Sequence, residues 1–155
     1  MPIKESGNGM ADIKKAIAFF RSNRCLVGIP QERSSRNNDE ITNAELAFIH
    51  TYGSPVRNIP PRPFIEPAIA QPDVKQKIAE HMRAAALQAI DGNTGAAITE
   101  MHKAGQRGEN AVKDYIGSSN LTPNSEATIR RKGSNAPLID TGSLRSSVTH
   151  VIEER

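Results

Sequence analysis

The sequence predicts an α+β domain: three to four helices packed on a small antiparallel sheet, with long loops. The sheet pairs a strand near the N-terminus (about 24–29) with one near the C-terminus (about 147–153). Three observations predict it. Apolar residues recur at helical spacing in several separate stretches. Short β-branched runs lie at opposite ends of the chain and are each other's natural partners. The 11 Gly and 10 Pro gather between the periodic segments, which leaves long connections.

Each element has its own justification. Residues 1–9 are polar and read as a loose arm, leaving 10–155 as a single domain. Ile13, Ala16, Ile17 and Phe20 then recur at i, i+3, i+4 and i+7, one apolar stripe of a helix over 10–22. Arg24 to Ile29 is short, partly β-branched and stopped by Pro30, so it reads as a strand. Residues 31–41 are almost wholly polar and make a loop. Thr42-Asn43-Ala44-Glu45 fits a capping box, with a hydroxyl at the N-cap and a carboxylate three residues on. The short helix it opens stops at Gly53.

Ile59-Pro60-Pro61-Arg62-Pro63-Phe64 is excluded from helix, because each Pro fixes φ and pushes its predecessor toward extended backbone. Phe64 on this rigid segment should plug a core or a neighbour's pocket. Asp73 is a candidate N-cap for a helix from Val74 to about Ile90. Asp91-Gly92-Asn93 turns the chain. Ile98, Met101, Gly105, Gly108, Val112 and Ile116 share a stripe over about 95–117, a second long helix that allows close approach through its glycines. A break at Gly105 is the alternative. The two long helices form an αα-hairpin. Ser125 to Arg131 adds a helical turn, and Ser146 to Glu153 alternates as the last strand.

Composition narrows the function. Hydrophobic residues make up 37% of the 155, aromatics 4%, and there is no Trp. That supplies a modest core, one that neighbouring subunits would complete. The net charge of +3 is mild, and the clearest basic cluster is Arg130-Arg131-Lys132. Cys25 is alone, which forbids an intramolecular disulfide and suits a reducing compartment. Four His and one Cys lack ligand spacing, so neither a metal nor another cofactor is expected. No apolar run approaches 18 residues and no signal peptide is visible, so a protein made in a cytoplasm, without a membrane partner, is expected.

One stretch supports catalysis at first sight. Leu138-Ile139-Asp140-Thr141-Gly142-Ser143 looks like the active-site turn of an aspartic protease. Such enzymes need two carboxylates sharing a proton, each on a Gly-containing turn. They are nearly all-β, and most of the sheet follows the catalytic turn. Here 13 residues follow Gly142 and helical segments precede it. The structural alternative has Asp140 or Thr141 accept hydrogen bonds from free backbone N–H groups downstream, Gly142 permit a tight path, Leu144 pack inward and Arg145 lie at the turn before the strand. A Ser nucleophile served by His150 is disfavoured, because no oriented acid is evident. His81 and His102 lie on separate helices without an acid at metal-motif spacing. No enzyme is expected.

Four landmarks, in order, carry a resemblance. They are Val27-Gly28-Ile29-Pro30 after an early helix; Ala44 to Gly53 with its Ala-Phe-Ile-His-Thr-Tyr-Gly ending; Pro61-Arg62-Pro63-Phe64; and Pro137-Leu138-Ile139-Asp140-Thr141-Gly142-Ser143-Leu144-Arg145. Over roughly 10–153 the chain resembles the tail-completion or neck proteins of long-tailed bacteriophages and prophages. The resemblance implies a structural virion protein at the head-proximal end of the tail, assembled in the host bacterial cytoplasm. It implies a homo-oligomeric ring, sixfold to match the tail, that binds other tail and head–tail connector proteins. It makes Pro61, Arg62, Pro63, Phe64, Asp140, Thr141, Gly142, Leu144 and Arg145 structural or interface residues. Arg130, Arg131 and Lys132 would face DNA in the channel or a partner. A head–tail connector or tail terminator is the alternative within the same class, and an aspartic protease the one outside it.

Overall fold

The structure is a computed structural model that describes residues 9–36, 41–118 and 120–155. Apart from Gly9, the predicted arm lies outside the described residues, as does the 37–40 part of the loop over 31–41. In chain order the elements are α1 (Gly9–Ser22), β1 (Asn23–Gly28), α2 (Asn43–Tyr52), α3 (Ile65–Ile69), α4 (Pro72–Ile90), α5 (Thr94–Ile116), α6 (Glu126–Lys132), α7 (Ser143–Ser147) and β2 (Thr149–Glu154). Single 3-10 turns occupy Gln31–Arg33 and Pro55–Arg57. The architecture is the predicted α+β one, weighted further toward helix. The strands near the two ends pair antiparallel, from Asn23 opposite Glu154 to Gly28 opposite Thr149.

The organising element is α5, which runs unbroken through Gly105. Helix α4 packs along it as the other arm of the αα-hairpin, and the β1–β2 ribbon lies against it. Its glycines seat the ribbon. A Cβ at Gly105 would sit 2.6 Å from His150 Cδ2 and 2.8 Å from Cys25 Sγ, and one at Gly108 would sit 3.0 Å from Val27 Cγ2. Bare backbone is therefore what brings sheet and helix into contact. Two apolar clusters form along α5. One gathers Phe64, Ala68, Val112, Ile116, Leu144 and Val148; the other gathers Phe19, Ala85, Ala89, Ala97 and Met101.

Local signals hold in several places. Thr42 and Glu45 make the reciprocal capping box, and Gly53 ends α2 at φ +75°. Phe64 is fully buried, so it plugs its own core. Ser125 caps α6 through the Thr128 N–H, and Gly133 ends it in the left-handed region.

Three expectations need correction. The stripe on α1 faces the core only in part: Phe20 packs against it, but Ile13 and Ile17 are 54% and 52% exposed, and Phe19 is the buried residue. The ribbon and the α4–α5 hairpin accept a different face of that helix. Asp73 is not an N-cap, because α4 starts at Pro72 with Gln71 before it. Proline already has a helical φ and lacks the N–H that a first-turn residue would leave unpaired. Asp73 sits in the first turn, where a carboxylate favours the positive helix end. Helix α3 forms directly after the proline segment; its Pro67 falls in the first turn, where proline is tolerated. Asp140 is not a cap either: the N-cap of α7 is Gly142, φ +79°, with no side-chain cap bond.

Candidate functional site

Two distant landmarks converge on one cleft of about 520 Å³. Its walls come from the end of α2 (His50), the extended segment at 58–62, the loop at 123–125, α6 (Thr128, Arg131, Lys132) and the turn at 138–144. The proline segment is extended because it must be, and Arg62 is its fixed point. Its backbone N–H donates to His50 O at 2.6 Å. Its guanidinium forks onto two successive carbonyls, Nε to Thr122 O at 2.7 Å and an Nη to Pro123 O at 2.8 Å. Arg62 is 8% exposed and therefore ties the cleft together from inside. Pro61 and Pro63 are exposed beside it.

The opposite wall is the Asp-Thr-Gly turn. Thr141 Oγ1 accepts from the Ser143 N–H at 3.3 Å, the role expected of Asp140 or Thr141. The Asp140 side chain is exposed and has no hydrogen bond or ion pair among the described residues. Leu144 is buried as predicted. Arg145, within α7, donates from Nε to Lys113 O at 2.8 Å and binds the last turn of α5. Among the described residues, Asn58 and Leu138 are the non-glycine positions in the left-handed region, at φ +53° and +60°, and both line this cleft. Held strain of that kind costs of order 1–3 kcal/mol per residue and needs a surrounding structure that fixes it.

The cleft is electropositive. Among the described residues, Arg36, Arg62, Arg131 and Lys132 line it with one acid, Asp140. Burial, then the charges of Arg62, Lys132 and Arg36, push the His50 imidazole down to about 4, so it is neutral near pH 7. Lys132 also donates to Ala136 O at 3.2 Å, while Arg130 pairs loosely with Glu126 at 3.8 Å on the outer face. The basic triplet is therefore split, with Arg131 and Lys132 in the cleft and Arg130 outside it. This surface suits an anionic or carboxylate-bearing segment of a partner. A proton-sharing carboxylate pair needs a second acid, and the described residues of the lining supply none. Ser143 Oγ is engaged with the buried Asn43, 3.1 Å from its Nδ2.

A second polar cluster escaped the sequence reading. His150 does have an oriented acid. Glu109 Oε2 lies 2.7 Å from His150 Nδ1 and also accepts from the His150 N–H at 3.2 Å and Thr149 Oγ1 at 3.3 Å. Glu109 Oε1 accepts from Lys113 Nζ at 2.6 Å. Burial would raise this carboxyl, but the bonds from Lys113 and His150 outweigh it and hold it at about 2. The far nitrogen of His150, Nε2, is 3.3 Å from His102 Nδ1. His81 likewise finds Glu100, 2.8 Å away across the hairpin. The only local hint was that Glu109 shares the α5 stripe side with Gly105. The contact spans 41 residues, beyond any local pattern.

Among the described residues no group of three or more His, Cys, Asp and Glu is placed to hold a metal, and no helix is long and apolar enough to cross a membrane. Compared with known proteins, no family model, curated protein or solved structure matches this chain.

Proposed function

We propose that this chain is a structural virion protein of a tailed phage. It acts in tail completion or head–tail joining, by assembling into a ring and binding its neighbours. Uncovered apolar surface carries the binding role. Met10, Ile13 and Ile17 follow one another along a face of α1 at 70%, 54% and 52% exposure. Phe48 and Tyr52, one turn apart on α2, stack with ring centroids 4.7 Å apart and are 65% and 68% exposed, and Val56 beyond them is 98% exposed. Contiguous apolar side chains left in water mark interaction surfaces. Two unlike faces on one chain suit a head-to-tail contact, the kind that closes into a ring. A second copy is the occupant proposed for them.

The landmark residues support the reading as architecture. Arg62 and Phe64 fix one wall of the cleft and Leu144 and Arg145 fix the other, consistent with structural roles in the resembled family. The basic cleft, with Arg131 and Lys132, offers a place for an acidic segment of a tail or connector protein. Passive contact with channel DNA is the weaker use, since the bases are recessed among loops rather than spread along one face. Mass measurement of the purified chain, alone and with tail-tube and connector proteins, tests the proposal. The expected result is a ring, sixfold to match the tail, that Phe48→Glu or Ile17→Glu disperses. A strict monomer that never associates with either partner overturns it.

A further inference from the structure

We propose that His102 Nδ1 and His150 Nε2 form a two-histidine site for a divalent transition metal of the zinc class, with Glu109 as the carboxylate behind His150. The argument begins at Glu109. An ionised carboxylate that lies 2.7 Å from His150 Nδ1 and also takes the His150 N–H requires a proton on Nδ1. That leaves Nε2 as a lone pair in a fixed direction. Nε2 lies 3.3 Å from His102 Nδ1, with the rings at 74° to each other. Two imidazole nitrogens 3.3 Å apart, each about 2.05 Å from one ion, subtend about 107° at it, the tetrahedral angle zinc prefers.

In the metal-free chain, His102 Nδ1–H donates to His150 Nε2. Binding moves the His102 proton to its own Nε2 and frees Nδ1 as a ligand, with no change in net charge. His102 is exposed, whereas the His150 side chain is 16% exposed and held by Glu109. One ligand is therefore preset by a carboxylate–histidine pair, the arrangement that orients metal-bound imidazoles. Glu109 is not itself a ligand, because Lys113, Thr149 and His150 already occupy its oxygens. Cys25 is not one either. Its thiol donates to Met101 O at 3.6 Å, and burial raises its pKa above the ordinary thiol value. Water fills the remaining positions. Imidazole ligands select Zn²⁺, Co²⁺, Ni²⁺ or Cu²⁺ over Mg²⁺ and Ca²⁺.

The test is calorimetric titration of the untagged, EDTA-stripped chain with ZnCl₂, and with CoCl₂ while visible absorption reports tetrahedral coordination. One saturable site per chain is expected, and MgCl₂ should not compete. His102→Ala, which removes an exposed side chain, should weaken binding about tenfold or more, and Glu109→Gln should weaken it by a comparable factor. His81→Ala, on the hairpin's other pair, should bind like the parent. Melting curves in EDTA check that each variant is folded. The proposal is overturned if the parent shows no saturable binding, if His102→Ala titrates like the parent, or if His81→Ala loses the site.

Discussion

His50 is a histidine that the fold keeps uncharged. Among the described residues its Nδ1 is buried without a partner, and Arg62, Lys132 and Arg36 place positive charge around it. Burial first, then those cations, lower its pKa from 6.5 to about 4. The sign follows from linkage. Between those values the unfolded chain binds a proton that the folded chain refuses, so stability is intact above pH 6.5 and falls as the pH drops toward 4. The loss should be on the order of 2 kcal/mol, allowing for partial exposure. Urea midpoints from pH 4 to 7 should fall more steeply for the parent than for His50→Leu, and parallel profiles would remove His50 as the cause. Asp140 gives the opposite prediction. Its side chain holds nothing in the described structure, so Asp140→Asn should leave the melting free energy within about 0.5 kcal/mol. Because the described residues of the cleft include no second carboxylate, peptide cleavage should be absent from both proteins. Proteolysis by the parent that disappears in the variant would restore the protease alternative.

Between elements, the decisive surface is the glycine face of α5. Gly105→Ala places a methyl 2.6 Å from the His150 ring, which Glu109 holds in place, and 2.8 Å from Cys25 Sγ. Overpacking of this kind costs about 1–3 kcal/mol, more than the helix propensity gained, which is up to about 1 kcal/mol. Gly95→Ala meets open space in the first turn of the same helix and should be neutral or slightly stabilising. Chemical denaturation of the two variants should separate them, and equal midpoints would mean that the ribbon yields freely. This face was legible in the sequence, because Gly105 and Gly108 fall on an apolar stripe of period 3–4. So were the α2 capping box and the Gly53 stop, whose determinants lie within a few residues of one another. The direction in which a helix presents its stripe is not local. The pattern over 10–22 named Ile13 and Ile17, yet the hairpin and ribbon chose Phe19. The Glu109–His150–His102 chain was invisible for the same reason, since register and hairpin packing decide which titratable groups meet across 41 and 48 residues. The convergence of the proline segment with the Asp-Thr-Gly turn shows only once the chain is folded.

Across the whole molecule, α5 divides a well-packed side from a loosely attached one. Helix α4 and the ribbon pack along it, and α1 packs in turn on α4 and β1. The stretch from 121 to 142 holds on through a few anchors: Leu121 in the core, Lys132 on its own loop carbonyl, and the Arg62 fork. Arg62 is the one among these that ties the loop at 122–123 to the proline segment. A lysine there keeps the charge but offers a single ammonium in place of a planar fork, so one of the carbonyls at Thr122 and Pro123 loses its donor. A hydrogen bond from a charged donor contributes about 1.5–3 kcal/mol, and Arg62→Ala should cost more because it removes both bonds and the packing of the stem. The effect should be regional before it is global. Amide exchange should quicken over 120–142, while amides in the α4–α5 hairpin keep their protection until the whole chain unfolds. If the cleft is the seat of a partner's acidic segment, Arg62→Lys should also weaken that association without altering the mass of the ring, since the apolar faces of α1 and α2 lie outside the cleft lining. Exchange that quickens evenly over all elements would mean that the cleft wall and the hairpin unfold as one unit, and that Arg62 is a core residue rather than a hinge pin.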